Sequence, residues 1–171
     1  MNSELVEDID GDEYAALGYV GKLFIACWVR QGPGMAERFR RGLQRGVERH
    51  RTGIVHLVVQ GPNFGMIPSE TRNRITQTKE LFQSSMAGTV VVIDASGFTG
   101  ATMRAVATGM NLMLRRPVRI AANLDEASRH IEELAPDHTV RVTPDVLRRA
   151  VDSLRDHVRR HASAKAASAR R

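Results

Sequence analysis

The stretch Gly88-Thr-Val-Val-Val-Ile-Asp94-Ala-Ser-Gly97-Phe-Thr99-Gly100 constrains this chain more than any other. A β-branched apolar run with no polar alternation suits a strand covered on both faces, as strands of parallel sheets are. The run stops at Asp-Ala-Ser-Gly, and an almost uncharged helical segment follows from Ala101 to Leu114. Strand, glycine turn and helix form one unit around which the rest of the chain can pack. Thr99 is the candidate N-cap, and Met103, Val106, Ala107, Met110, Met113 and Leu114 leave only Arg104 to break the apolar surface. Such a helix is either core or a Met-rich, adaptable interface, with Met110 and Met113 as its partner-facing candidates.

The flanking segments repeat the alternation of strand and helix. Tyr19 to Val29 reads as a strand or a strand pair closed by the turn Gln31-Gly-Pro-Gly34. Met35, Phe39, Leu43 and Val47 recur every fourth residue, and Gly42 and Gly46 fall on the side of Met35 and Phe39. Two glycines inside a helix cost roughly 1 kcal/mol each, so close approach of this helix to a sheet is the expected compensation. Its other face carries Arg38, Arg40, Arg41, Arg45, Arg49 and Arg51. That face is either solvated or a docking surface for an acidic partner or for phosphate groups.

Gly53 to Gln60 is a second buried strand, with His56 among aliphatics. Gly61 to Pro68 is a turn-rich loop that exposes Phe64, Met66 and Ile67 unless they fold back, a plausible lip of a binding surface. Ser69 is read as the cap of the next helix, with Ile75, Thr78 or Lys79, Phe82 and Met86 as its stripe. Arg115-Arg-Pro117 ends the helix after the central strand, and Val118 to Ala122 is a short strand. Asn123 with Glu126 resembles a capping box, and Thr143-Pro144 opens a last helix buried along Leu147, Ala150, Val151, Leu154 and Val158.

With 171 residues, 42% of them hydrophobic, the chain can bury one core. The expectation is an α/β domain over residues 18–160, built on one mixed or mostly parallel sheet of four or five strands with crossover helices and a C-terminal amphipathic helix. Residues 1–17, with six acidic and no basic groups in the first thirteen, are expected to form a flexible arm. Residues 161–171 are expected to be a disordered basic tail that binds nucleic acid only nonspecifically. Cys27 is the single cysteine, which excludes an intrachain disulfide or a cysteine metal site and fits a reducing cytoplasm. The acidic opening lacks the features of a secretory signal, and no window approaches the 18 apolar residues of a membrane span, so a cytoplasmic protein without membrane association is expected.

No catalytic set assembles from the sequence. The turn between strand and helix attracts anions through free backbone N–H groups, which makes Ser96, Gly97, Thr99, Gly100 and Thr102 the anion-binding or phospho-acceptor candidates. Gly97-x-x-Gly100 lacks the dinucleotide, P-loop and hydrolase-elbow signatures. Asp94 and Ser96 make a triad with His56 or His138 only on paper, without support from spacing. His157 and His161 stand one helical turn apart but lack a completing carboxylate, so no metal and no cofactor is expected.

Val90-Val-Val-Ile-Asp94-Ala-Ser96-Gly97-Phe-Thr99 resembles the strand-to-helix region of STAS domains, the family of bacterial anti-sigma-factor antagonists. There an apolar strand leads into Asp-Ser-Ser-Gly, whose second Ser is phosphorylated by a partner kinase. Asp94, Ser96 and Gly97 match, and Ala95 replaces the first Ser. Asp94-Ala-Ser-Gly-Phe98 also fits the family's upstream Asp-Leu-Ser-Gly-Val element, a register that moves the acceptor region to Gly100 to Thr102. The resemblance covers residues 19–135 loosely. It implies a STAS-like fold and a non-catalytic signalling module that binds a protein partner. The residues themselves, and not the resemblance, make Arg38, Arg41, Arg45, Phe64 and Met66 surface candidates beside the two methionines. Two other classes stand beside it: an enzyme or small-ligand binder using the Asp94 to Gly100 crevice, and a scaffold that forms homo-oligomers through the Met-rich helix.

Overall fold

The computed structural model describes residues 5–93, 117–135 and 141–169. Among these, six strands form one mixed sheet: β1 (Glu7–Gly11), β2 (Ala15–Val20), β3 (Leu23–Trp28), β4 (Ile54–Gln60), β5 (Met86–Ile93) and β6 (Val118–Ala121). Their order across the sheet is their order along the chain. β1, β2 and β3 are antiparallel neighbours, and β3 to β6 run parallel. Four helices accompany them: α1 (Met35–His50), α2 (Ser69–Leu81), α3 (Leu124–Leu134) and α4 (Pro144–Ser168). The α/β class agrees with the sequence; β5, expected to be central, is paired on both sides but lies next to the edge strand β6, and the six strands exceed the expected four or five.

The extra strand comes from the acidic N-terminal stretch. Residues 7–11, expected in a flexible arm, pair with β2 along the sheet edge, and β2 itself begins at Ala15 inside that arm. The hairpin between β2 and β3 turns on Gly21-Lys22, with Gly21 at φ 55°, the positive dihedral that two-residue hairpin turns require. Tyr19 to Val29 is therefore the end of one strand and the whole of the next.

Alternation along the parallel strands divides the core into two layers. Val55, Leu57, Val59, Val90 and Val92 face α3 and α4, meeting Ile131, Leu147, Val151 and Leu154. Phe24, Ala26, Trp28, Ile54 and Val58 face the other way, toward Met35, Phe39 and Leu43 of α1, with Ile75 and Phe82 packed at the margin. Both faces of the middle strands are dry, which explains why their sequences read as unbroken apolar runs.

The helix termini follow the capping chemistry in part. Asn123 Oδ1 accepts from Glu126 N at 2.9 Å, and Glu126 Oε2 accepts from Ala122 N at 2.7 Å, a reciprocal cap at the start of α3. Thr143 Oγ1 accepts from Val146 N at 3.4 Å, with Pro144 in the first turn of α4. Ser69, expected as a cap, is instead the first residue of α2 and Pro68 stands at the cap position. Met86, expected on the helical stripe, opens β5, because α2 stops at Leu81 and residues 82–85 turn back. α4 runs on through residues 161–168, expected to be disordered; these are exposed but alanine-rich, so propensity extends a helix already nucleated on the core. Lys165 there pairs with Glu13. No helix among the described residues is long and apolar enough to cross a membrane.

The glycines of α1 mark a close approach. A Cβ on Gly42 would lie 2.7 Å from the Phe24 ring, and one on Gly46 would lie 2.1 Å from Tyr19 Oη. Tyr19 Oη donates to Gly42 O at 2.7 Å, so the helix backbone sits directly on the phenol. Gly46→Ala should therefore destabilise the protein by about 1–3 kcal/mol through overpacking, although alanine gains about 1 kcal/mol of helix propensity. Chemical denaturation measures the difference, and a neutral or stabilised variant would show that α1 sits further out.

Candidate functional site

β3, β4 and β5 end level with one another: Trp28 is the register neighbour of Gln60, and Gln60 of Ile93. The connections that begin at Val29 and Gly61 thus leave side by side from one edge of the sheet, next to the end of β5 at Ile93. Loop 61–68 is fastened along that edge. Gly61 N donates to Trp28 O at 2.8 Å, Phe64 N donates to Gly61 O at 3.1 Å, and Gln31 Nε2 donates to Met66 O.

Phe64 folds back beneath this loop. It is 2% exposed with its ring 6.5 Å from that of Trp28, so it is an anchor and not the partner-facing residue the sequence suggested. A large aromatic ring gains more from the Trp28 layer than from water. Ile67 also packs against the core, whereas Met66 is 81% exposed. The loop therefore presents a single large apolar side chain on a backbone pinned from behind. Ser96, Gly97, Thr99, Gly100, Thr102, Met110 and Met113 lie outside the described residues.

The arginine face of α1 is paired with the acidic N-terminal stretch, although Arg41, Arg45 and Arg49 stay partly exposed. Arg38 reaches Asp12 at 2.6 Å and Asp10 at 3.7 Å, Arg41 and Arg45 reach Asp10 at 3.7 and 3.4 Å, and Arg49 pairs with Glu7 at 2.9 Å and with Asp8. Arg38 is only 14% exposed, which corrects its expected place on an open partner surface. Sequence reading missed Glu7, Asp8, Asp10 and Asp12 as the counterpart. The signal was an all-acidic block preceding an arginine-rich helix, and composition alone could not say that the two meet. Burial pushes the Asp12 carboxyl up, but hydrogen bonds from Arg38 and from the backbone of Tyr14 and Ala15 outweigh it and hold the pKa below the usual value.

Two further features have chemical character. A groove of about 180 Å³ between α1 and α2 is lined by residues that include Glu37, Arg40 and Arg74, where Glu37 accepts from Arg40 Nη2 at 3.1 Å. Arg74 also reaches Glu37, at 4.0 Å, so the groove's single carboxylate is already shared by its two arginines. His157 and His161 have rings 4.6 Å apart, and no group of three metal-ligating side chains forms among the described residues.

His56 is a buried titratable residue in the middle of the sheet. It is 2% exposed, its ring lies 5.3 Å from Phe24 and 5.0 Å from Phe39, and neither ring nitrogen has a hydrogen-bond partner among the described residues. Thr89, also buried, is its register neighbour on β5. Burial, with Lys79 adding like charge, drives the His56 pKa well below 6.5; burial lowers Lys79 to about 8. The strand therefore holds a neutral imidazole.

No family model, no curated protein and no solved structure matches this chain. The chemistry of the lip and of the arginine face carries the functional argument.

The sign of the His56 effect is fixed by its lowered pKa. The unfolded chain takes up a proton near pH 6.5 and the folded chain does not, so this stability contribution is full above that pH and is lost as pH falls toward the folded pKa. The melting temperature should drop between about pH 7.5 and about pH 5.5, and more for wild type than for His56→Leu. His50 and His157, whose pKa values burial also lowers, leave a residual slope in the variant. Equal slopes would mean that His56 is solvated in the folded protein.

Proposed function

We propose that this chain is a non-catalytic regulatory module of STAS-like type that docks a protein partner at the lip formed by the ends of β3, β4 and β5. The observation that carries the proposal is the register of Gln60 with Ile93, together with Met66 at 81% exposure on a loop fastened from beneath. It puts an exposed, adaptable side chain on the loop that follows β4, the strand paired with the end of β5. We infer that the sequence continuing after Ile93, which carries Ser96, adds a phosphorylatable hydroxyl to this apolar contact, the pairing a phospho-switched interface needs.

The strand order supports the same conclusion. In open α/β sheets small ligands settle in the crevice where the strand order reverses. Here the order of the six strands is monotonic. The parallel part offers a continuous rim, which suits a protein surface better than an enclosed substrate.

A phosphate on Ser96, Thr99 or Thr102 would bring about −1.5 to −2 charges to that rim and change its partner preference. Capture from native extract should recover at least about tenfold less partner with Met66→Asp, while the melting temperature moves by no more than about 2 °C. Ser96→Asp should weaken or redirect capture, and Ser96→Ala should retain it. Identical partner profiles for wild type and all three variants would remove the lip as the docking surface.

A further inference from the structure

On α1 the four residues Arg38, Arg41, Arg45 and Arg49 form a single stripe, spaced three, four and four positions apart. The stripe rises roughly 16 Å along the helix. An extended chain from Glu7 to Asp12 covers roughly the same distance. Four arginines thus face the four carboxylates of Glu7, Asp8, Asp10 and Asp12, and Asp10 alone meets three of the guanidinium groups. Length and charge match an extended acidic segment lying between α1 and the outer edge of β2.

The segment that fills this place is held loosely for a strand. β1 is short and lies at the sheet edge, its pairing with β2 shifts register between Glu7 and Asp10, and Asp8 stands at φ 53°, a region unfavourable to non-glycine residues. Its ion pairs are mostly solvated, which makes each of them weak. Val6, 1% exposed just before the strand, is its fully buried anchor, with Leu5 and Ile9 packed partly against the core.

We propose that the α1 arginine stripe and the β2 edge form a docking groove for an extended acidic segment of a protein partner, and that β1 occupies it in cis until displaced. The incoming segment adds as a strand to β2, turns its carboxylates toward α1, and fills the Val6 seat with an aliphatic side chain. None of these residues belongs to the lip, so this site stands or falls independently of the proposed function. Bulky exposed carboxylates on β1 also guard the edge against unspecific strand pairing, which restricts entry to segments that satisfy the arginines.

The test uses the full chain and a labelled peptide with the sequence of residues 3–13, which carries six carboxylates. Binding to wild type should be saturable and should weaken at least about tenfold between about 50 and 300 mM salt. Asp10→Lys, which loosens the strand in cis, should bind the peptide about tenfold more tightly than wild type. Arg41→Glu combined with Arg45→Glu should bind it at least about tenfold more weakly. Amide hydrogen exchange of the wild type provides a readout free of mutation: Glu7 to Gly11 should exchange at least about 100-fold faster than Val55 to Val59. Protection of β1 equal to that of β4, or peptide binding indifferent to both the arginine variants and Asp10→Lys, overturns the proposal. Tight binding of single-stranded RNA by Asp10→Lys, with none of the peptide, also overturns it and makes the stripe a phosphate reader.

Discussion

The structure depends on how closely α1 lies on β2 and β3. Gly42 and Gly46 bring the helix backbone onto the Tyr19 phenol, whose hydroxyl donates to Gly42 O at 2.7 Å, and the Tyr19 ring stacks on Phe24 at 4.9 Å. Burial pushes the phenol pKa well above its usual value, so this donor keeps its proton throughout the range in which the protein is studied. Because the helix meets the sheet through backbone, its rotation is fixed by a hydrogen bond and two rings. That rotation aims Met35, Phe39 and Leu43 into the core and turns the arginine stripe toward β1. One seat therefore determines both a buried layer and a charged surface.

From the same layer follows the arrangement of the sheet's rim. Trp28, at the end of β3, gives Phe64 a place to fold back, and the loop that carries Met66 is pinned as a result. The monotonic strand order makes the three neighbouring strand ends into a continuous edge without a reversal crevice. Protein docking at that edge, with a switch in the turn after β5, is the proposal that uses these features together. His56 sits beneath, neutral and without a hydrogen-bond partner among the described residues, and it makes the aromatic layer sensitive to acid.

Much of the fold was legible in the sequence because two-sided burial leaves an unmistakable pattern. Ile54 to Val59 and Val90 to Ile93 are apolar at nearly every position, and two glycines on the apolar side of α1 mark its close approach to the sheet. The caps at Asn123 and Thr143 were readable because their chemistry is local. β1 was not readable, since Glu7, Asp8 and Asp10 have low strand propensity and are held by arginines some thirty or more positions away. Phe64 was misplaced for a related reason. A turn-rich loop looks exposed, and only the tertiary position of Trp28 decides otherwise. The helical continuation through residues 161–168 escaped because exposed alanines carry no amphipathic stripe to read.

The central claim is that the glycine seat of α1 and the acidic edge strand form one mechanical unit through the arginine stripe. A double-mutant cycle between Gly46→Ala and Asp10→Asn, read by chemical denaturation, tests it most directly. The two sites do not touch in the sheet register, yet a helix pushed outward by the alanine must withdraw Arg45 from Asp10, 3.4 Å away. The double variant should lose less stability than the sum of the single variants by at least about 0.5 kcal/mol. Additivity within about 0.3 kcal/mol would contradict the coupling and make the acidic strand a separate surface feature.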